Sequence, residues 1–145
     1  MVNPSSIKPD VALAEALNGS IHVGDTPVKV YADWAKPTNG LPDDFISIYI
    51  NGDIEGFGLD NNFARGYIGV SLYSRMNDDG SVKSNRITKI LEQFDTFIDK
   101  LIADKYYYRY PSDRFLTPTT PNVTSGYSIT TLNLEWHTTN DFQTT

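Results

Sequence analysis

The run VKSNRITKILEQFDTFIDKLIADK, residues 82–105, constrains the fold more than any other stretch. Ile87, Ile90, Leu91, Phe94, Phe97, Ile98, Leu101 and Ile102 recur at i, i+3, i+4 and i+7, while Lys89, Glu92, Asp95, Asp99 and Lys100 fall on the other side. That period predicts an amphipathic helix of about five turns. Burying large apolar side chains is worth ~1.5–3 kcal/mol each before entropy, so the stripe needs a matching apolar surface.

Two alternating runs supply it. In FISIYI, Ile46, Ile48 and Ile50 alternate with Phe45, Ser47 and Tyr49. In ARGYIGVSLYSR, Ile68, Val70 and Leu72 alternate with Tyr67, Gly69, Ser71 and Tyr73. A period of two with one aliphatic face predicts an antiparallel pair over a core. The glycine-rich NGDIEGFGLDNN between them reads as the hairpin connection. TPVKVYADW, with Val28 and Val30, reads as an earlier strand, and GYSITTLNLEWHTTN closes the fold with Leu132, Leu134 and Trp136 on one face. The run AKPTNGLPDD, with its prolines and Asn39-Gly40, is a loop. Near the N-terminus, Asp10 is placed to cap VALAEALNG and Gly19 to close it, giving a helix of about two turns. The expected fold class is α+β: a mainly antiparallel sheet of about four strands, with a short N-terminal helix and one long amphipathic helix packed on one face. All 145 residues form one domain, residues 1–9 being a lead-in and 140–145 a tail.

Charge and composition exclude several functions. The chain carries 18 acidic and 12 basic residues, net −6, without a visible Lys/Arg cluster. It therefore lacks the footprint of a protein that neutralises phosphates, and sequence-specific nucleic-acid binding is not expected. There is no cysteine, hence no disulfide framework, thiolate zinc site or cysteine nucleophile. No stretch approaches the roughly 18–20 apolar residues of a membrane span, and MVNPSSIKPDVALAEAL has no signal-peptide core, so a soluble, intracellularly made protein is expected.

A search for chemistry finds little. His22 and His137 have no serine or acid at a recognisable spacing, and no nucleophile elbow occurs. NDDGS, residues 77–81, resembles a calcium loop, but its acids are adjacent, Gly80 is fourth from Asn77, and Thr88 stands where glutamate belongs. It reads instead as a strand-to-helix turn: Asp78 and Asp79 favour the positive end of the helix dipole, Gly80 turns the chain, and Ser81 or Ser84 caps. Paired carboxylates at Asp43-Asp44 and at Asp53 with Glu55 are compatible with acid–base chemistry, and a solvated loop rim is the plainer reading of both. No catalytic, cofactor or metal residue is expected. YYYRYPSDRF sets Tyr107, Tyr110 and Phe115 among Arg109 and Arg114, the residue types enriched at protein interfaces. Packing on the sheet accounts for those tyrosines equally well. The Pro/Thr/Ser-rich 111–126 segment has little to bury, so a long loop that is mobile in the isolated subunit is expected.

The element order carries a resemblance. A short helix leads into strands, RGYIGVSLYSR passes through a polar turn into NRITKILEQFDTFIDKLI, and YSITTLNLEWHTT follows a long loop. Over roughly residues 8–139 this layout is similar to the small tail terminator, or tail completion (neck), proteins of long-tailed bacteriophages. The resemblance implies a virion structural protein made in the host cytoplasm. Such a protein forms a homo-oligomeric ring, commonly a hexamer, that caps the head-proximal end of the tail tube. Its implied partners are other copies of itself, the tail tube protein and the head-tail connector. Long irregular connections are the natural contact surfaces, which adds Asp53, Glu55 and Phe57 of the glycine-rich ribbon to Tyr107, Arg109, Tyr110, Arg114 and Phe115. Another connector or minor tail subunit is the nearest alternative. A small acid–base hydrolase, or a peptide- or carbohydrate-binding module, is the alternative from another class.

Overall fold

The structure, a computed structural model, describes residues 8–32, 36–37, 39–57, 63–103, 106–111, 120–122 and 126–138, with the main-chain course alone at 52–57, 63–64 and 120–122. Among the described residues two helices, α1 (Pro9–Leu17) and α2 (Ser84–Ile98), accompany nine strands. These are β1 (His22–Val23), β2 (Thr26–Pro27), β3 (Lys29–Ala32), β4 (Asp44–Phe57), β5 (Phe63–Arg75), β6 (Ile102–Ala103), β7 (Tyr106–Arg109), β8 (Thr120–Asn122) and β9 (Tyr127–Thr138). β1 and β2 form a separate hairpin, and the rest form one seven-stranded sheet in the order β3-β4-β5-β9-β7-β6, with β8 also on β9.

The expected four-stranded antiparallel sheet under one long helix is therefore wrong. The fold is mostly β, and its sheet is curled and mixed. β3 runs parallel to β4, with Val30 opposite Ile46 and Ala32 opposite Ile48, while the other pairs are antiparallel. TPVKVYADW is broken into β2 and β3, with Val28 buried between them. Three residues expected in a loop, Thr120–Asn122, pair with Tyr127–Ile129 as an edge strand, where Pro121 is tolerable. Residues 1–7 and 139–145, with the lead-in and tail they were expected to form, lie outside the described residues, as do 112–119 and 123–125.

The alternation itself holds. Ile46, Ile48, Ile68, Val70, Leu72, Leu132, Leu134 and Trp136 share one buried face, which α1 and α2 cover with Leu13, Leu17, Ile87, Ile90, Phe94 and Ile98. α2 is shorter than expected, 15 residues or about 22 Å. Leu101 and Ile102 fit the helical period, but Ile102 pairs with Tyr107 in the sheet and is 64% exposed. Aromatic residues at 106–108 favour a strand, and their pairing with β9 overrides the helical pattern just upstream. Phe97, also expected in the stripe, is exposed. α1 is buried on more of its circumference, at Pro9, Asp10, Ala12, Leu13, Ala14 and Leu17.

Neither helix starts as expected. Lys8 holds the N-cap of α1 and Pro9 takes the first turn, where its missing N–H costs nothing, so Asp10 is buried inside the helix instead of capping it. Gly19, at φ +89°, does close the chain there. At α2 the N-cap is Lys83, without a side-chain cap. Within NDDGS the residues bond to one another: Asp79 accepts from the Ser81 N–H at 2.9 Å and hydroxyl at 2.6 Å, and Gly80 N–H donates to the Asn77 carbonyl at 2.9 Å. These bonds hold the Asp79 carboxyl below its ordinary range, chiefly through the Ser81 hydroxyl. The turn is closed on itself.

Edges are managed by side-chain amides. The Val30 N–H donates to Asn18 Oδ1 at 3.3 Å on the outer edge of β3. His22 lies in β1, where its N–H donates to Gln93 Oε1 (2.9 Å) and its carbonyl accepts from Gln93 Nε2 (2.7 Å). Gln93 thus mimics a neighbouring strand and ties the small hairpin to α2.

Candidate interaction surface

The face of the sheet turned away from the helices is built in cross-strand rows. One row runs Ile102, Tyr107, His137, Arg65; the next runs Arg109, Glu135, Tyr67, Asn51. Residues directly opposite across a sheet share a face and touch, so each row is a physical unit. Of the four exposed large hydrophobic side chains among the described residues, three lie in these rows: Tyr67, Ile102 and Tyr107. Tyr107 stacks on the His137 ring, centroids 5.1 Å apart and planes 11° from parallel. His137 is buried, and its Nε2 lies 3.1 Å from Glu135 Oε1, which also pairs with the Arg109 guanidinium at 3.4 Å. The rows therefore carry a locked polar base with aromatic and aliphatic groups standing out to solvent.

Further along the same face the surface closes over aromatics. Phe45 stacks on Tyr73 at 4.6 Å and meets Tyr127 edge-on at 5.4 Å. Tyr49 lies flat on Gly69, where an added Cβ would stand 2.2 Å from its ring. Arg75 sits 4.7 Å over the Tyr127 ring and Lys36 5.3 Å over Tyr73, so cations line this end.

Of Asp43 and Asp44, read from sequence as a solvated rim, Asp43 is exposed while Asp44 is buried, and both are paired with arginines. Asp44 points to the core side with its side chain 5% exposed. It accepts from Ser74 Oγ at 2.7 Å and from Arg86 Nε at 2.7 Å, with Arg86 Nη2 at 2.5 Å. The bond to Asp44 raises the Arg86 guanidinium above its ordinary value. Asp43 accepts from Arg75 Nε at 2.8 Å, which likewise raises Arg75. Arg75 also donates to the Tyr127 hydroxyl at 2.9 Å, and Tyr127 donates to the Pro42 carbonyl at 2.7 Å. Burial pushes Tyr127 above an ordinary tyrosine. Both carboxylates are thereby committed to joining the start of β4 to the end of β5 and the first turn of α2. Among the described residues no group of three or more His, Asp or Glu is placed to hold a metal ion, and no helix is long and apolar enough to cross a membrane.

The structure brings together only part of the expected contact set. Tyr107 and Arg109 lie on the row face. Tyr110 faces α2 instead, its hydroxyl bonded to Asp95. In β4 the register sets Glu55 opposite Arg65 and Phe57 opposite Phe63, and Asp53 falls in the irregularity between Asn51 and Glu55. Arg114 and Phe115 lie outside the described residues. Tyr67, Ile102, Arg65, Glu135 and His137 belong to the surface without having been expected there. The signal for Tyr67 was available: it has the parity of Gly69, Ser71 and Tyr73, opposite to the aliphatic positions. No protein-family model matches the chain, and no curated protein matches it.

Proposed function

We propose that this chain is a virion structural protein of a long-tailed bacteriophage, a tail terminator that caps the head-proximal end of the tail tube as a ring and meets the head connector. The observation that carries the reading is the clustering of Tyr67, Ile102 and Tyr107 on one sheet face beside Arg65 and Arg109. Tyrosine and arginine clustered on one face are what a protein contact uses. Part of the order that resembles the terminators supports the reading: α1 first, β5 handing over through NDDGS to α2, and β9 returning beside β5, although β6, β7 and β8 intervene between α2 and β9. Of the paired acids an acid–base enzyme would need, Asp43 and Asp44 are tied to Arg75 and Arg86, which favours assembly over hydrolysis at that pair.

The test is size-exclusion chromatography with light scattering, alone and with a recombinant tail tube protein, followed by electron microscopy of capped tubes. A defined oligomer that binds tube ends supports the reading. A strict monomer at high concentration that ignores tubes overturns it.

A further inference from the structure

The chain contains three Asn-Gly pairs, Asn18-Gly19, Asn39-Gly40 and Asn51-Gly52. A glycine has no side chain to shield the residue before it. Its amide nitrogen can therefore close on the asparagine side-chain carbon wherever the main chain is free to turn. Two of the pairs are held. Asn18 N–H donates to the Ala14 carbonyl at 3.0 Å, and the Ser20 N–H closes the turn over Asn18 and Gly19 onto the Leu17 carbonyl at 2.9 Å. Asn18 Oδ1 also accepts from the Val30 N–H at 3.3 Å. Asn51 lies in β4 opposite Tyr67, and its amide donates to Asn133 Oδ1 at 3.3 Å. Asn39 differs from both. It and Gly40 are exposed, and neither makes a hydrogen bond among the described residues. Among those residues, no atom beyond the chain neighbours lies within 4 Å of where a Gly40 Cβ would stand, and Gly40 is in the left-handed region at φ +69°.

We propose that Asn39 is a site of spontaneous modification, converting to aspartate and isoaspartate in the folded protein while Asn18 and Asn51 are preserved. The Gly40 nitrogen, having lost its proton to hydroxide, bonds to Asn39 Cγ, and the Cγ–Nδ2 bond breaks to release ammonia. The succinimide so formed takes up one water. Opening at the side-chain carbonyl leaves an aspartate on an unchanged main chain; opening at the main-chain carbonyl routes the chain through the side-chain carbon as isoaspartate. The net change is one amide and one water consumed, one carboxylate and one ammonium formed, with no oxidant or cofactor. At Asn18 or Asn51 the same ring closure would first have to break the turn or the strand pairing that fixes the asparagine main chain. Conversion places a new negative charge between Lys36, which stands over Tyr73, and Asp43, which Arg75 holds. It thus weakens the cationic character of this end of the sheet face. The inference is independent of what the chain assembles with.

The test is incubation of the full chain in mildly alkaline buffer, followed over days by peptide mapping with mass spectrometry. Chromatography separates the aspartate and isoaspartate forms of each peptide. In the folded chain the peptide carrying Asn39 should convert at least about tenfold faster than those carrying Asn18 or Asn51. Its rate should rise with pH, because the attacking nitrogen is an anion. In guanidinium chloride the three peptides should convert at similar rates, since the glycine that follows is common to all and only the fold distinguishes them. Asn39→Gln lengthens the side chain, so that closure would need a larger ring. It should silence this peptide and leave the other two unchanged, with circular dichroism confirming the same fold. Equal rates at the three sites in the folded chain overturn the inference. So does an Asn39 that stays intact in the folded chain while it converts in denaturant.

Discussion

Arg86→Met removes the cation that holds Asp44 and keeps most of the side chain's length. In the wild type the Asp44 carboxylate, 5% exposed, receives the guanidinium on one oxygen and the Ser74 hydroxyl on the other. After the substitution only Ser74 remains. Breaking a fully buried ion pair by removing one partner costs roughly 3–5 kcal/mol, because a desolvated charge is left behind. Arg86 is 34% exposed, so water reaches the vacated side and reduces this to about 2–3 kcal/mol. At roughly 2–4 °C per kcal/mol for a domain of this size, the melting temperature should fall by about 5–10 °C.

The mechanism is separable from a simple loss of contacts. Asp44→Asn in the Arg86→Met background removes the stranded charge, so the double variant should be more stable than Arg86→Met alone, with a coupling of about 1–3 kcal/mol. The pair's partial burial also limits screening, so most of the coupling should persist in high salt. By contrast Asp43→Asn touches a pair whose side chains are 44% and 65% exposed, and should cost under about 1 kcal/mol, most of it lost on adding salt. Urea melts of the four chains supply the cycle. An Arg86→Met chain that melts within a degree of wild type, or strictly additive effects in the double variant, would refute the clamp.

Gly69→Ala should force the Tyr49 ring off the sheet, since the new methyl would stand 2.2 Å from it; overpacking of this kind costs about 1–3 kcal/mol. Tyr49→Ala added to Gly69→Ala should bring no further loss comparable to Tyr49→Ala alone, and equal effects in both backgrounds would contradict the contact. Tyr127 supplies an alkaline transition. Its folded pKa is raised by burial, so its contribution to stability is complete below the unfolded value of about 10 and is lost as pH rises through the folded value. Melting temperatures across that window should fall less steeply for Tyr127→Phe than for wild type, and parallel curves would argue against the shift.

The strands that carry the core could be read directly, because one period of two runs through Ile46, Ile48, Ile68, Val70, Leu72, Leu132, Leu134 and Trp136. The same parity, followed one step further, reaches the clamp: Asp44 stands two residues before Ile46 and Ser74 two residues after Leu72, so both belong to the buried face. Arg86 precedes Ile87 at the head of the helix stripe. An acid at a core-facing strand end, with an arginine at the start of the covering helix, is a pairing a sequence can announce. Counting Asp43-Asp44 as one solvated unit hid it, since neighbours on a strand face opposite ways.

What could not be read depends on pairing between distant segments. Nothing local tells Lys29–Ala32 to lie parallel to β4, or stops α2 at Ile98 when Leu101 and Ile102 keep its period. The contact surface has the same origin. Tyr107 comes to Arg65 only because β7 and β5 both pair with β9, at His137 from either side. Its composition is local, but its existence is a property of strand order. A sequence can therefore group Tyr107, Arg109 and Tyr110 together, yet Tyr110, the residue right after Arg109, turns to α2 instead of the row face. Past Arg109 the strand ends, and with it the alternation that decides which layer a side chain joins.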